Sequence, residues 1–313
     1  MRQFAATLLL IGMTAPPGVP AQAPSLVKEV RTAIAANDFA RAAATLAAYR
    51  ADRGVTPEML EALSWMGRGA LAAKDLDSAE TYARETYQLS MVQLKSRPLD
   101  QEPRLPIALG AAIEVLGQVD AAQGARTEAV AFLRRELETY ASTSIAKRIQ
   151  KNVNLLSLEG QPVPAIDLSE YLGPEPPEMA ALEGRVVLMF FWAHWCSDCK
   201  TQAPILAELS RRYRDQGLAI LAPTQRFGYV AGGKPASPAD ELRYIEQVRQ
   251  QFYPVLDGQS VPVSEANHQR FGVSTTPTLV LVDRGGIIRL YHPGRMPLEQ
   301  LDARVRALLR AGS

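Results

Sequence analysis

Apolar side chains between residues 25 and 157 recur at helical spacing, as in Leu46 and Tyr49 and then Leu71, Leu76, Ala79, Tyr82, Ala83 and Tyr87. Alanine is abundant there and strand-type alternation is absent, so this half predicts helices throughout. Breaks are expected at Asn37-Asp38, Gly54, Lys74-Asp75, the Pro-rich stretch 98–106 and Gly124. The texture changes after Leu158. The stretch 159–178, EGQPVPAIDLSEYLGPEPPE, is rich in Pro and Gly and marks a boundary. Beyond it the pattern alternates. Strands are predicted over 186–192, 218–222, 278–283 and 286–291, and helices over 201–216, 238–251, 264–271 and 297–311. Such alternation argues for a central mixed sheet flanked by helices on both faces. The glycines of Gly285-Gly286 supply the tight turn between the last two strands.

Three stretches of the helical half share a plan: AANDFARAAATLAAY (35–49), AAKDLDSAETYARETY (72–87) and AAQGARTEAVAFLRRELETY (121–140). Each has a helix ending in small residues, a polar turn, and a second helix with Ala early and aromatics later. This resembles a tetratricopeptide-type repeat, although the spacings are irregular and no copy carries the full signature. Two readings stay open: a concave surface for a protein partner, or a helical cap packed beside the second domain.

At 313 residues the chain is long enough for two domains. With 34 basic and 33 acidic residues and no long basic run, no nucleic-acid partner is expected. The opening stretch has Arg2, an apolar core over 4–14, the breakers Pro16, Pro17, Gly18 and Pro20, and small residues at Ala21 and Ala23. It reads as a secretory signal over 1–23, cut after Ala21 or Ala23, with an uncleaved anchor as the alternative. The apolar core is too short to cross a bilayer, and no later segment is expected to cross one. The division is therefore a signal peptide over 1–23, an all-α helical-hairpin domain over 24–157 and an α/β domain over 158–313, with export to the bacterial periplasm expected.

Export sharpens the meaning of the cysteines. An exported fold is usually stapled by several pairs, yet this chain has two cysteines in all, Cys196 and Cys199. A bridge that close in sequence closes almost no loop, so its effect on chain entropy is small. A strand running into Cys-x-x-Cys and then a helix puts Cys196 at a helix N-terminus, where free N–H groups stabilise a thiolate. Cys199, one turn later, can resolve a mixed disulfide. Zinc needs about four ligands, and three histidines without a second cysteine pair make a poor set, so no metal is expected.

WAHWCSDCK, with Pro204 five residues after Cys199, and VSTTPTLVLVD (273–283) together resemble the thioredoxin superfamily, and within it the TlpA/ResA-like exported thiol–disulfide oxidoreductases. The resemblance runs from about 159 to 313 and does not cover the helical half. It implies a cis proline at Thr276-Pro277, packed against the active-site cysteines and orienting a substrate chain that pairs as an added strand. It also implies catalysis by Cys196 and Cys199 without cofactor, a protein disulfide as substrate, and a membrane or thioredoxin-like electron donor. Trp195 would offer an apolar landing surface, whereas Trp192 reads as core and Pro204 as a helix kink.

The departures matter too. Phe190 stands where many thioredoxins have a buried acid, and Gln202 where the TlpA/ResA group often has Glu; neither can serve as a general base. Two charges are expected to modulate the pair, Asp198 disfavouring a Cys196 thiolate and protonated His194 favouring one, and Lys200 either favours the thiolate as well or is simply a solvated helix residue. Weight on Asp198 leans the reading toward a reductant. Alternatives are a protein-binding adaptor whose thioredoxin-like half is structural, and a peroxiredoxin-like peroxidase, though Ala193 stands where the latter places Thr. Ser264, His268 and Asp257 are not expected to form a hydrolytic triad. Residues 224–239 read as an insertion near the active-site end, either a gate or a mobile loop.

Overall fold

The computed structural model describes residues 25–177 and 179–311, so the expected secretory segment lies outside the described residues. The helical half comprises α1 (Leu26–Ala35), α2 (Phe39–Arg53), α3 (Pro57–Ala72), α4 (Leu76–Leu94), α5 (Leu105–Ala122), α6 (Arg126–Thr139) and α7 (Ala146–Ser157). The polar turns explain the breaks. Asn37 and Lys74 adopt left-handed φ values of 57° and 63° and end α1 and α3. Asp38 and Asp75 then cap the next helices by accepting from Arg41 N and Ser78 N. Pro106 lies inside the first turn of α5 rather than in a break, where its missing N–H costs nothing. A further break between α6 and α7 was not foreseen. It is held by Ser144, whose N–H and hydroxyl both donate to Asp100.

The odd-numbered helices α1, α3, α5 and α7 pack against one another in order, and α2, α4 and α6 close the hairpins. Helix α5, contrary to expectation, is long and apolar enough to cross a membrane by length and composition. It is instead the central core helix, with Leu105, Ala108, Leu109, Ile113, Val115 and Val119 buried.

The second half contributes β1 (Tyr171–Leu172), β2 (Val186–Phe191), α8 (Ser197–Tyr213), β3 (Leu218–Leu221), β4 (Tyr229–Val230), β5 (Lys234–Pro235), α9 (Pro238–Phe252), β6 (Val261–Pro262), α10 (Glu265–Arg270), β7 (Thr278–Val282), β8 (Ile288–Pro293) and α11 (Leu298–Arg310). The main sheet has the order β3-β2-β7-β8, with β2 parallel to β3 and antiparallel to β7. Two small antiparallel pairs, β1 with β6 and β4 with β5, were not legible as strands. Every residue of β2 is buried. Its Val186, Leu188 and Phe190 share a core with α8, α9 and α11, including Leu206, Ile245 and Val305. Val187, Met189 and Phe191 face the other way and pack with Phe271, Val273 and Tyr291.

That second face is where the two halves meet. Helix α7 packs on α10 and β8. Lys147 pairs with Glu265 at 2.8 Å, and Glu159 accepts from Tyr291 N at 3.1 Å. A close approach falls at Gly272, where φ is +59° and a Cβ would stand 2.4 Å from the backbone nitrogen of Lys151. Backbone meets backbone there, so neither side can yield. Gly272→Ala is expected to destabilise the full chain by about 2–4 kcal/mol, since it adds left-handed strain to a steric overlap. Urea unfolding checks this; a loss under about 0.5 kcal/mol, the scale of an ordinary surface substitution, would contradict the docking.

Candidate functional site

The buried run of β2 does not stop at its last strand residue. Trp192 is fully buried with its indole N–H donating to Ala222 O at 3.0 Å, and Ala193 and His194 stay buried beyond it. The chain then surfaces at Trp195, which is 50% exposed, and turns at Cys196 into α8. Cys196 is the N-cap of that helix, and Cys199 N donates to its sulfur at 3.0 Å. Cys196 and Cys199 form a disulfide, with Cys199 wholly buried and Cys196 nearly so. Across from them the Thr276–Pro277 peptide is cis, and the Thr276 carbonyl oxygen lies 3.4 Å from Cys196 Sγ. The site thus gathers a thiol pair, a helix N-terminus, an exposed indole and a carbonyl facing the sulfur.

The charges fall out differently from expectation. His194 is not a surface cation. It is 1% exposed, and burial holds its pKa below the ordinary imidazole value against the opposing pull of Glu241. Neutral at neutral pH, it gives the thiolate no cationic support. Its Nε2 lies 3.3 Å from the carboxylate of Glu241, which is equally buried. The rings of Phe227, Tyr229 and Tyr244 stand edge-on to the imidazole with centroids 5.2–5.5 Å away. Asp198 is exposed and lies 3.3 Å from Arg295, so its charge is offset and its influence on Cys196 is small. Lys200 turns away and stacks its ammonium 3.9 Å from the centroid of Phe252. Gln202 is buried and clamps the loop before α11, donating to Met296 O and accepting from Met296 N. Phe190 packs against Tyr253.

Sequence reasoning missed Glu241, Phe227 and Arg295. Glu241 accepts from the backbone N–H groups of Phe227 and Gly228 as well as facing His194. It thereby ties the β4–β5 hairpin to the active-site turn, while Arg226 pairs with Glu170 on the hairpin's other side. Phe227 in turn stands edge-on to Trp195 at 5.5 Å. The insertion is therefore anchored against the site by named contacts. Ser264, which hydrogen-bonds Asp167 at 2.7 Å, caps α10, and His268 Nδ1 donates to Ser264 O at 3.3 Å within the core; both are structural. Among the described residues no cluster of side chains could hold a metal ion.

Residues 175–309 match the thioredoxin-like domain family. Over 149 residues the chain is 27% identical to the thiol–disulfide oxidoreductase ResA of Geobacillus thermodenitrificans, covering 48% of this chain and 77% of ResA. It is 24% identical to the thiol:disulfide interchange protein DsbE of Xylella fastidiosa over 154 residues, 49% of this chain and 70% of that one. A solved thiol-disulfide isomerase from Corynebacterium glutamicum superposes with a TM-score of 0.39 at 18% identity, covering 48% of this chain and 96% of that one. The C-terminal half is a thioredoxin-like domain, homologous to the ResA and DsbE thiol–disulfide oxidoreductases. It carries a Cys-x-x-Cys pair, Cys196 and Cys199.

Two outcomes follow from the buried polar groups. Glu241→Ala leaves two backbone N–H groups and His194 without their acceptor. The expected loss is about 2–5 kcal/mol in urea unfolding, with new protease cleavage within 226–236; an unchanged digestion pattern would contradict the anchoring. His268 has its pKa pushed down to about 4 by burial. A depressed histidine contributes stability that is fully present above its unfolded pKa near 6.5 and lost as pH falls toward the folded value. Between pH 6.5 and 4 the wild type should lose about 3 kcal/mol more than His268→Gln, measured by denaturant midpoints at each pH.

Proposed function

We propose that this protein is an exported reductase of protein disulfides. The observation that carries the reading is the Cys196–Cys199 pair at the start of α8, facing the Thr276 carbonyl at the cis Thr276–Pro277 peptide. In the reduced enzyme the Cys196 thiolate, supported by the helix end and by Cys199 N–H, attacks a sulfur of the client disulfide. A Cys196–client bond forms, the client S–S bond breaks, and the departing client sulfur leaves as a thiolate that takes up a proton. Cys199 then gives up its own proton and attacks Cys196. The client leaves with both sulfurs reduced, and the enzyme keeps the disulfide. A dithiol donor, membrane-bound or thioredoxin-like, returns the two electrons. Thr276 and Pro277 hold the client backbone as an added strand, and Trp195 packs on its side chains.

Direction follows from the charges. Strong oxidants stabilise their reduced form through the thiolate. Here, among the described residues, no cationic side chain hydrogen-bonds either sulfur, and buried, neutral His194 supplies none. The reductive reading thus rests on missing cationic support rather than on Asp198. Export rests on the character of residues 1–23, and the helical half is read as a tetratricopeptide-like partner surface.

Equilibration with glutathione and dithiothreitol buffers is expected to give a reduction potential near the thioredoxin value of about −270 mV; a value above about −150 mV would make the protein an oxidant. Cys199→Ser should accumulate a mixed disulfide with a client protein, and Cys196→Ser should neither trap nor turn over. Turnover retained in Cys196→Ser would remove the assigned nucleophile.

A further inference from the structure

The helical half carries a second concentration of charge, far in sequence from the cysteines. Arg31 of α1 and Arg68 of α3 both stack on the Trp65 ring, with guanidinium carbons 4.2 Å and 3.9 Å from its centroid. Neither arginine has a carboxylate within ion-pair distance among the described residues, and Trp65 Nε1 is buried without an acceptor. The same strip continues over α5 and α7, where Arg148 and Lys151 share a single acid, Glu114, at 2.6 Å and 3.0 Å. Four cations thus face one carboxylate in a half-buried setting. The mismatch is felt: burial first, and then neighbouring cations, hold Arg68 and Lys151 below their ordinary pKa values. Net charge of one sign, kept partly out of water, is costly in the fold unless an anion arrives to balance it.

Resting on the reading of the helical half as a partner surface, we propose that this strip binds an acidic polypeptide segment, laid across α1, α3, α5 and α7. Its extent favours a chain over a small anion. Four helices at about 8–10 Å spacing present a track of roughly 25–30 Å, whereas one phosphate meets only a pair of side chains. Curvature favours a chain over a bilayer. The odd-numbered helices pack closely together while α2, α4 and α6 make no comparable contacts among themselves, so the layer bends toward the strip. The track ends at Lys151, whose backbone meets Gly272 at the start of the stretch leading to Thr276. A client held by its acidic segment is thereby brought beside the loop that faces Cys196.

The test uses the full chain and fluorescein-labelled deca-glutamate, with deca-lysine and phosphatidylglycerol vesicles as the other probes, read by fluorescence anisotropy and vesicle sedimentation. Deca-glutamate should bind, with affinity falling about tenfold between roughly 50 and 200 mM salt. Arg31→Gln/Arg68→Gln should weaken it about tenfold, and Arg50→Gln/Arg53→Gln on α2 should leave it unchanged. Circular dichroism melts check folding. If the double variant is unfolded, exposed Arg31→Gln alone should still weaken binding about threefold. Absence of deca-glutamate binding, equal affinity in the Arg31 and Arg68 variants, or preference for the vesicles would overturn the proposal. Binding should persist in Cys196→Ser/Cys199→Ser, so its failure is separable from failure of the redox reading.

Discussion

The chemistry of this chain depends on one strand buried on both faces. Because β2 has a core on either side, its register and its exit point are fixed, and the backbone emerges only at Trp195. The turn into α8 follows at once, and with it the alignment of Cys199 N–H on the Cys196 sulfur. A half-exposed strand could slip or fray at its end; this one cannot do so without uncovering Phe190, Phe191 and Trp192 together. The geometry of the cysteine pair is thus a by-product of core packing carried out almost to Cys196.

Polar groups refine what the core positions. Glu241 satisfies two amides of the β4–β5 hairpin and faces His194, so a single carboxylate on α9 joins an inserted loop to the residue beside Trp195. Gln202 does the same for the loop ahead of α11, with both its amide atoms engaged by Met296. These are positioning contacts, and Gln202 makes its own from the place on α8 where the resemblance implied a Glu. Arg295 and Asp198, in contrast, meet in the open, where attraction is largely screened.

What could be read from the sequence was what local patterns encode. Caps and breakers marked the helical hairpins at Asn37-Asp38 and Lys74-Asp75, and periodicity marked the four main strands and the longer helices. The Cys-x-x-Cys motif and the Thr276-Pro277 pair pointed to residues that the fold brings together. What escaped came from distant parts of the chain. Glu241 is 47 residues from His194, and nothing local pairs them. Arg295 likewise meets Asp198 only through the fold. One clue was available: VVLMFFWAHW is a continuous apolar run, and a histidine inside it is more naturally buried and neutral than exposed and charged. The two-residue strands β1 and β4–β6 are too short to carry a period, and the turn near Ser144 is set by Asp100 across the domain.

The seam at Gly272 bears on modularity. Domains joined by a flexible linker can be exchanged, duplicated or tethered elsewhere, because each presents the other with a replaceable surface. Here the helical half and the redox half meet through main chain at a position that admits no side chain at all. A redox domain transplanted without α7 would carry a bare glycine turn and an uncovered flank beside Tyr291 and Phe271. A helical domain on its own would lose the partner that seats its last helix. Each half therefore completes a surface of the other, and separating them uncovers main chain that no side chain shields.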